Sequence, residues 1–251
     1  MVRDGRIRDG AGAACAVRVQ RGRPELALTE LSRRAGLPLT TTHRIVGELA
    51  GWGALERADD GRYRVGLRLW EVGALAPRGL GLRESAMPFL EDLYAVTKQN
   101  VQLAVLDGTE VVYLERLSGR GAVNVITRVG GRLPLHATGV GLVLLAHAGP
   151  DLQERVLAGP LRRYTPKTLC APDELRRTLA EVRRTGVAVS DGQIELIALS
   201  VAAPVRGARG EVVAALSVVV PAETSDARAY VPVVRAAARG ISRVLGAPDS
   251  R

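Results

Sequence analysis

Residues 26–66, LALTELSRRAGLPLTTTHRIVGELAGWGALERADDGRYRVG, restrict the fold more than any other part of the chain. Two short helical patterns flank Gly36. In the first, Thr29 is placed as an N-cap, with Leu28 before it and Glu30, Leu31 and Ala35 after it, and Gly36 stops the helix. Leu37-Pro38-Leu39 makes a tight turn. Thr40 or Thr41 then caps a second helix that runs to about Gly51, with Ile45, Val46 and Leu49 on one face. Two short helices joined by a tight glycine-containing turn form a helix-turn-helix. Residues 54–57 and 62–65 read as extended, and Asp59-Asp60-Gly61 between them is a hairpin turn signal. A hairpin directly after a helix-turn-helix makes a winged helix.

Such a unit binds duplex DNA by placing its second helix in the major groove, which calls for short polar and cationic side chains at that helix's start. Thr40, Thr41, Thr42, His43 and Arg44 fill that description. Threonine donates to phosphate or touches a thymine methyl, and arginine reads guanine O6 and N7. Arg33 and Arg34 on the preceding helix reach the backbone, and Arg62 and Arg64 flank the wing. The plain alternative is that Thr40 only caps and the arginines form a solvated face. The order of helix, glycine turn, polar-start helix and hairpin favours DNA.

Charge agrees. The chain of 251 residues has a formal net charge of +9, and residues 1–80 hold 14 Lys+Arg against 9 Asp+Glu, more than twice the excess density of the remainder. Lys98 and Lys167 are the only lysines. Arginine suits bidentate phosphate and guanine contacts, although genome base composition also produces such a bias. A basic balance points to a polyanion partner but not to a fold. Aromatics are only 3%, which argues against stacking platforms for single strands. No apolar run approaches the length of a membrane span, and MVRDGRIRDG lacks the apolar stretch of a signal peptide. Cys15 and Cys170 are too few for a disulfide framework. The expectation is a reduced, cytoplasmic protein with no membrane partner.

The rest of the chain mixes strands and helices. Residues 1–10 alternate glycine with charge and read as a disordered tail, and 11–21 read as a weak helix broken at Arg23-Pro24. A helix is expected over 67–76. PRGLGL at 77–82 marks a hinge, and a long helix follows over 83–98. VQLAVLDGTEVVYLERL is two apolar runs around Asp107-Gly108, a hairpin. Residues 123–128 read as a third strand, 138–148 as a buried helix, and 151–158 and 173–185 as amphipathic helices. Strands are expected at 187–189, 196–205 and 212–220, with a closing helix over 227–245. Strands outnumber crossover units, so the sheet is expected to be mixed or antiparallel with flanking helices, an α+β arrangement.

No catalytic constellation emerges. His43, His136 and His147 are far apart, no His/Cys pair has zinc spacing, and neither G-x-S-x-G nor GxxxxGK[ST] occurs. His136 and Cys170 read as structural. No metal, catalytic residue or cofactor is expected. A binding pocket is the subtler candidate. HATGVG at 136–141 places Thr138 and backbone amides at a helix start, where carboxylate or phosphate binds well. Ser200 and Ser217 sit within apolar strands, where a buried hydroxyl needs a partner, and Asp191-Gly192 makes a nearby turn. Each also has a plain structural reading.

LTELSRRAGLPLTTTHRIVGELAGWGALERADDGRYRVGLRLWEVG resembles the winged-helix segment of the IclR family of bacterial transcription regulators. RVGGRLPLHATGVG, Thr165-Pro166-Lys167-Thr168, EVRRTGVAVSDG, VAAPV and AALSV resemble that family's effector-binding domain in the same order, and the likeness spans about residues 25–245. The resemblance implies a winged helix-turn-helix over 11–66, a linker helix and hinge over 67–82, and a GAF-like effector-binding and oligomerisation domain over 83–251. It implies a homodimer or dimer of dimers acting on palindromic double-stranded DNA under the control of a small-molecule effector. Effector contacts would fall on Gly139, Val140, Ser190 or Asp191, Ser200 and Ser217. The chain departs from the family's usual pattern at Leu142, Gln193, Leu196-Ile197 and Val219, so its pocket has lost charge and polarity. The implied effector is less polar than the usual small organic acids. Two other classes remain: a protein-interaction module, and an enzyme of the C-terminal domain.

Overall fold

In a computed structural model of the protein, residues 25–76 and 79–248 are described. The expected tail at 1–10, the weak helix at 11–21, the Arg23-Pro24 break and Pro77 lie outside them. Contacts divide the chain between Gly79 and Leu80 into two units.

The first unit is a small helical core with a hairpin. Helix α1 (Leu28–Ala35) ends at Gly36, whose φ of 68° is left-handed, and helix α2 (Leu39–Trp52) ends at Gly53 in the same conformation. Both helices start earlier than the threonine caps required. The N-cap positions are Ala27 and Pro38, and neither makes a side-chain cap, so Thr29, Thr40 and Thr41 all lie inside helices. Strands β1 (Leu55–Arg57) and β2 (Tyr63–Val65) pair antiparallel. Asp60 accepts from the Arg62 amide at 3.0 Å and Gly61 takes a φ of 81°, which closes the expected turn. Leu26 exchanges backbone hydrogen bonds of 3.0 and 2.8 Å with Tyr63 and adds an edge to the wing. Leu26, Leu31, Ile45, Val46, Leu49 and Leu55 make the core. Helix α3 (Leu67–Ala74) follows and buries none of its residues.

The second unit is an antiparallel sheet covered on both faces. Helix α4 (Leu80–Thr97) starts three residues before the expected Arg83, so residues 80–82 of the expected hinge form its first turn. Strands β3 (Asn100–Asp107) and β4 (Glu110–Leu117) make the hairpin, with Gly108 at a φ of 60°. The next strand is β5 (Arg132–Pro134), not residues 123–128, which form no strand. Helix α5 (Gly139–Ala146) buries all eight residues. Helices α6 (Pro150–Ala158) and α7 (Pro172–Thr185) lead to β6 (Ala188–Asp191), β7 (Ala198–Arg206) and β8 (Val212–Pro221), and α8 (Ala227–Val244) closes the unit. The sheet order is β5-β4-β3-β8-β7-β6, antiparallel at every pair.

Side chains alternate across a sheet with a period of two, and that alternation divides the core. Val101, Leu103, Val201, Leu216 and Val218 face α4 and α8. Ala104, Tyr113, Ala202 and Ala215 face α5 and α7. Burial on both faces explains why β3, β7 and β8 read as nearly continuous apolar runs. It also puts Gln102, Ser200 and Ser217, the polar exceptions, on the same face as α5.

Candidate functional site

The exposed surface of the first unit holds six of the nine residues expected to contact DNA: Arg33, Thr40, His43, Arg44, Arg62 and Arg64. Thr40, His43 and Arg44 are exposed on the first turns of α2, and Thr41 is half-buried. Thr42 is a correction. It is fully buried and donates its hydroxyl to the Pro38 carbonyl at 3.0 Å, because a helix that starts at Leu39 turns position 42 inward with Ile45, Val46 and Leu49. Arg44 pairs with Glu48 one turn on at 2.7 Å, both exposed. Arg33 is exposed, whereas Arg34 is half-buried and donates to Glu30 at 2.5 Å. In the wing, Arg62 pairs with Asp60 at 3.2 Å and Arg64 with Glu56 at 2.9 Å. The Arg64 guanidinium and the Leu67 amide hold the Glu56 carboxyl below its usual range.

The second unit contains a cavity of about 50 Å³ between the sheet and the first turn of α5. Gly139, Val140, Ser190 and Ser200, four of the residues named as effector contacts, line it. Gly139 is held by space: a Cβ there would stand 2.6 Å from the Ser200 Oγ. Thr138 caps α5 by accepting from the Gly141 amide at 3.1 Å, and its carbonyl accepts from Leu142. The Gly139 and Val140 amides find no acceptor among the described residues. Two unfilled N–H donors at a helix N-terminus are suited to an anion.

Two expected residues fall elsewhere. Asp191 follows Ser190 in β6, and the strand's alternation turns it to solvent, where it pairs with Lys167 at 2.8 Å. Ser217 lies on the cavity's side of the sheet but is fully buried beneath it, beside Gln102 and Ala202, and its hydroxyl has no partner.

Sequence reasoning missed Gln102, Tyr113 and Thr127. Gln102 donates to the Thr127 hydroxyl at 2.6 Å, and Arg116 donates to the Thr127 carbonyl at 2.7 Å, which draws residues 123–128 over the cavity rather than into the sheet. Tyr113 is buried, its phenol is pushed up by that burial, and its hydroxyl is without a partner among the described residues. Gln193 Oε1 is buried and unpartnered on the opposite wall. Glu195, the only charged residue lining the cavity among the described residues, accepts from the Ile126 amide at 3.0 Å and so joins the two irregular walls. The signal for Gln102 was present: it is a polar residue inside an otherwise apolar stretch of β3, at a position whose alternation points to α5. His136, close by in sequence, is structural, bonded to the Arg162 carbonyl at 3.0 Å. No cluster among the described residues could hold a metal ion.

A helix-turn-helix with a wing, and a separate sheet domain with a small anion-ready cavity, define the class of DNA-binding transcription regulators governed by small-molecule effectors. Residues 19–59 match the IclR helix-turn-helix domain, and residues 76–243 match the bacterial transcriptional regulator IclR C-terminal domain. The chain belongs to the IclR family. It is 33% identical to the HTH-type transcriptional regulator XynR of Escherichia coli (strain K12), over 89% of this chain and 91% of that one. It is 30% identical to the Transcriptional repressor IclR of the same organism, over 77% and 72%. Among solved structures, an IclR homolog from Microbacterium hydrocarbonoxydans complexed with 4-hydroxybenzoate matches with a TM-score of 0.85 and 43% identity, over 93% of this chain and 98% of that one. The protein is thus a transcription regulator that binds DNA and a small-molecule effector. Among the described residues no helix is long and apolar enough to cross a membrane.

Proposed function

We propose that this protein acts in the cytoplasm as a homodimer or a dimer of dimers on a palindromic operator, and that a single-ring aromatic carboxylate in its cavity changes its affinity for that operator. Thr40, Thr41, His43 and Arg44 read the major groove, with Arg33, Arg34, Arg62 and Arg64 on phosphates. A dimer presents two such helices about 34 Å apart, one turn of duplex. Helix α3 supports self-association: Leu67 and Trp70 are 64% exposed and Leu75, just past its end, is 80% exposed, more apolar surface than a lone short helix leaves in water.

The observation that carries the effector reading is the pair of amides at Gly139 and Val140 that have no acceptor among the described residues, at a largely apolar cavity whose one charged lining residue among them, Glu195, is engaged by the Ile126 amide. A carboxylate meets those amides, and a ring lies against Val125, Leu133 and Val219. The Tyr113, Ser200 and Gln193 polar groups then serve the ring's substituents. The 4-hydroxybenzoate in the related structure has this chemistry. A cavity of about 150 Å³ holds benzene, so the present space of about 50 Å³ must open to admit a ring. The irregular walls at 123–128 and 192–197 are the parts able to move. Effector then acts only through its differential affinity for the two arrangements.

The test pairs calorimetric titration of 4-hydroxybenzoate, benzoate and a short aliphatic acid with gel shifts on fragments of the promoters nearest the gene. The aromatic acids are expected to bind and to change operator affinity, which falls linearly in log K against log salt. Silence with every aromatic acid overturns the effector reading. Absence of any shifted fragment at low salt overturns the operator reading.

A further inference from the structure

We propose that the second unit carries another ligand site, a basic groove that binds a small metabolite bearing two or more phosphate groups. The groove measures about 780 Å³ and lies at the end of α7, on β7 and along α8. It shares no residue with the effector cavity. Its size is that of ordinary small-molecule sites, which run about 300–1,000 Å³.

Six arginines line it: Arg183, Arg184, Arg206, Arg235, Arg239 and Arg243. No acidic side chain among the described residues does. Among the described residues only Arg184 of the six has a carboxylate partner, Glu181, at 2.6 Å. Arg183 donates to the Ala146 carbonyl at 3.2 Å, Arg206 to the Gly210 carbonyl at 2.8 Å, and Arg235 to the Thr185 carbonyl. These bonds aim the guanidinium groups without neutralising them, and each keeps unused donors, since a guanidinium has five. Arg239 and Arg243 have no partner among the described residues.

The arrangement costs stability when empty. Arg235, Arg239 and Arg243 follow one another at four-residue spacing on α8, and like charges so placed repel. A polyphosphate relieves that repulsion and takes the bidentate contacts that guanidinium groups favour. The walls between the arginines are small, with Gly186, Ala203 and Ala238 leaving room for close approach. Two copies meeting face to face would oppose like charges across a symmetric contact, so self-association does not account for the groove. A duplex is a convex rod that would touch only the rim of a hollow.

The experiment titrates the full chain with inorganic tripolyphosphate and, at equal ionic strength, with sulfate. Tripolyphosphate is expected to bind at least about tenfold more tightly than sulfate. Arg239→Ala/Arg243→Ala is expected to weaken it by about tenfold or more. Arg209→Ala/Arg228→Ala removes the same charge from exposed positions outside the groove and is expected to leave binding unchanged. All four positions are exposed, and an unchanged Tm verifies folding. Equal affinity for the two anions, or equal weakening in both double variants, overturns the site. Loss of operator affinity in Arg239→Ala/Arg243→Ala without tripolyphosphate binding to the parent chain also overturns it and makes the groove a DNA surface.

Discussion

Helices α2 and α5 each start where a ligand is expected, and they are built in opposite ways. Helix α2 buries one face and shows Thr40, His43 and Arg44 to solvent. Helix α5 buries every residue and offers only its first amides. In the proposed reading, side chains serve DNA in the first and backbone serves the effector in the second. Surface side chains contribute little to stability away from special features, so function and folding separate in α2. In α5 they share the same atoms, because the helix that presents the amides is also the centre of the core.

That contrast is open to direct attack. The largest effect is expected from Leu145→Ala, a fully buried residue of α5, which should cost about 2–5 kcal/mol in denaturant unfolding. A loss below about 1 kcal/mol would mean that α5 is not the core element it looks to be. Next, Arg44→Ala should weaken operator binding by about 1–3 kcal/mol in gel shifts. Its stability should move by less than about 0.5 kcal/mol, since only the exposed pair with Glu48 is lost. Unfolding comparable to Leu145→Ala would erase the distinction between the helices. Gly139→Ala pushes a methyl onto Ser200. It should reduce aromatic-acid affinity by about tenfold, roughly 1.4 kcal/mol, with operator affinity in the absence of acid unchanged. Ser217→Ala removes a buried hydroxyl that has no partner and should raise stability by about 1 kcal/mol. A fall instead would reveal a partner for that hydroxyl.

The smallest effect concerns pH. Burial lowers the His147 pKa, against the hydrogen bond to the Val143 carbonyl, and the Arg206 and Arg183 charges lower it further. The folded state therefore binds the proton less readily than the unfolded chain. The histidine's contribution is complete above about pH 6.5, its ordinary value, and is lost as pH falls below it. The Tm drop between pH 7.5 and 5.0 should be smaller in His147→Gln than in the parent. An equal drop would assign the acid sensitivity to other groups.

Much of the fold was legible because local chemistry and final structure agree. Gly36, Gly61 and Gly108 stop or turn the chain where the sequence placed those events, each with a positive φ that glycine adopts freely. The winged helix and the α5 start could be read for that reason. Legibility failed where a tertiary contact overrode a local preference. Residues 123–128 alternate like a strand, yet Asn100 donates to the Val123 carbonyl at 2.8 Å and Gln102 to Thr127, and these side chains hold the segment off the sheet. Thr42 had the right chemistry for DNA and the wrong phase on its helix. Asp191 follows a cavity residue in sequence but lies on the solvent side of its strand.

The sequence by itself determined most of the elements, the glycine turns, the family and the end of α5 that offers free amides. These follow from side-chain size, backbone freedom and spacing within a few residues of one another. Only the tertiary structure decided that Tyr113, Gln102 and Gln193 meet Gly139 around one cavity, and that arginines from α7, β7 and α8 surround another. Both depend on which strands lie side by side. That order is fixed by burial of the whole sheet on both faces, a sum over many distant residues that no local stretch of sequence contains.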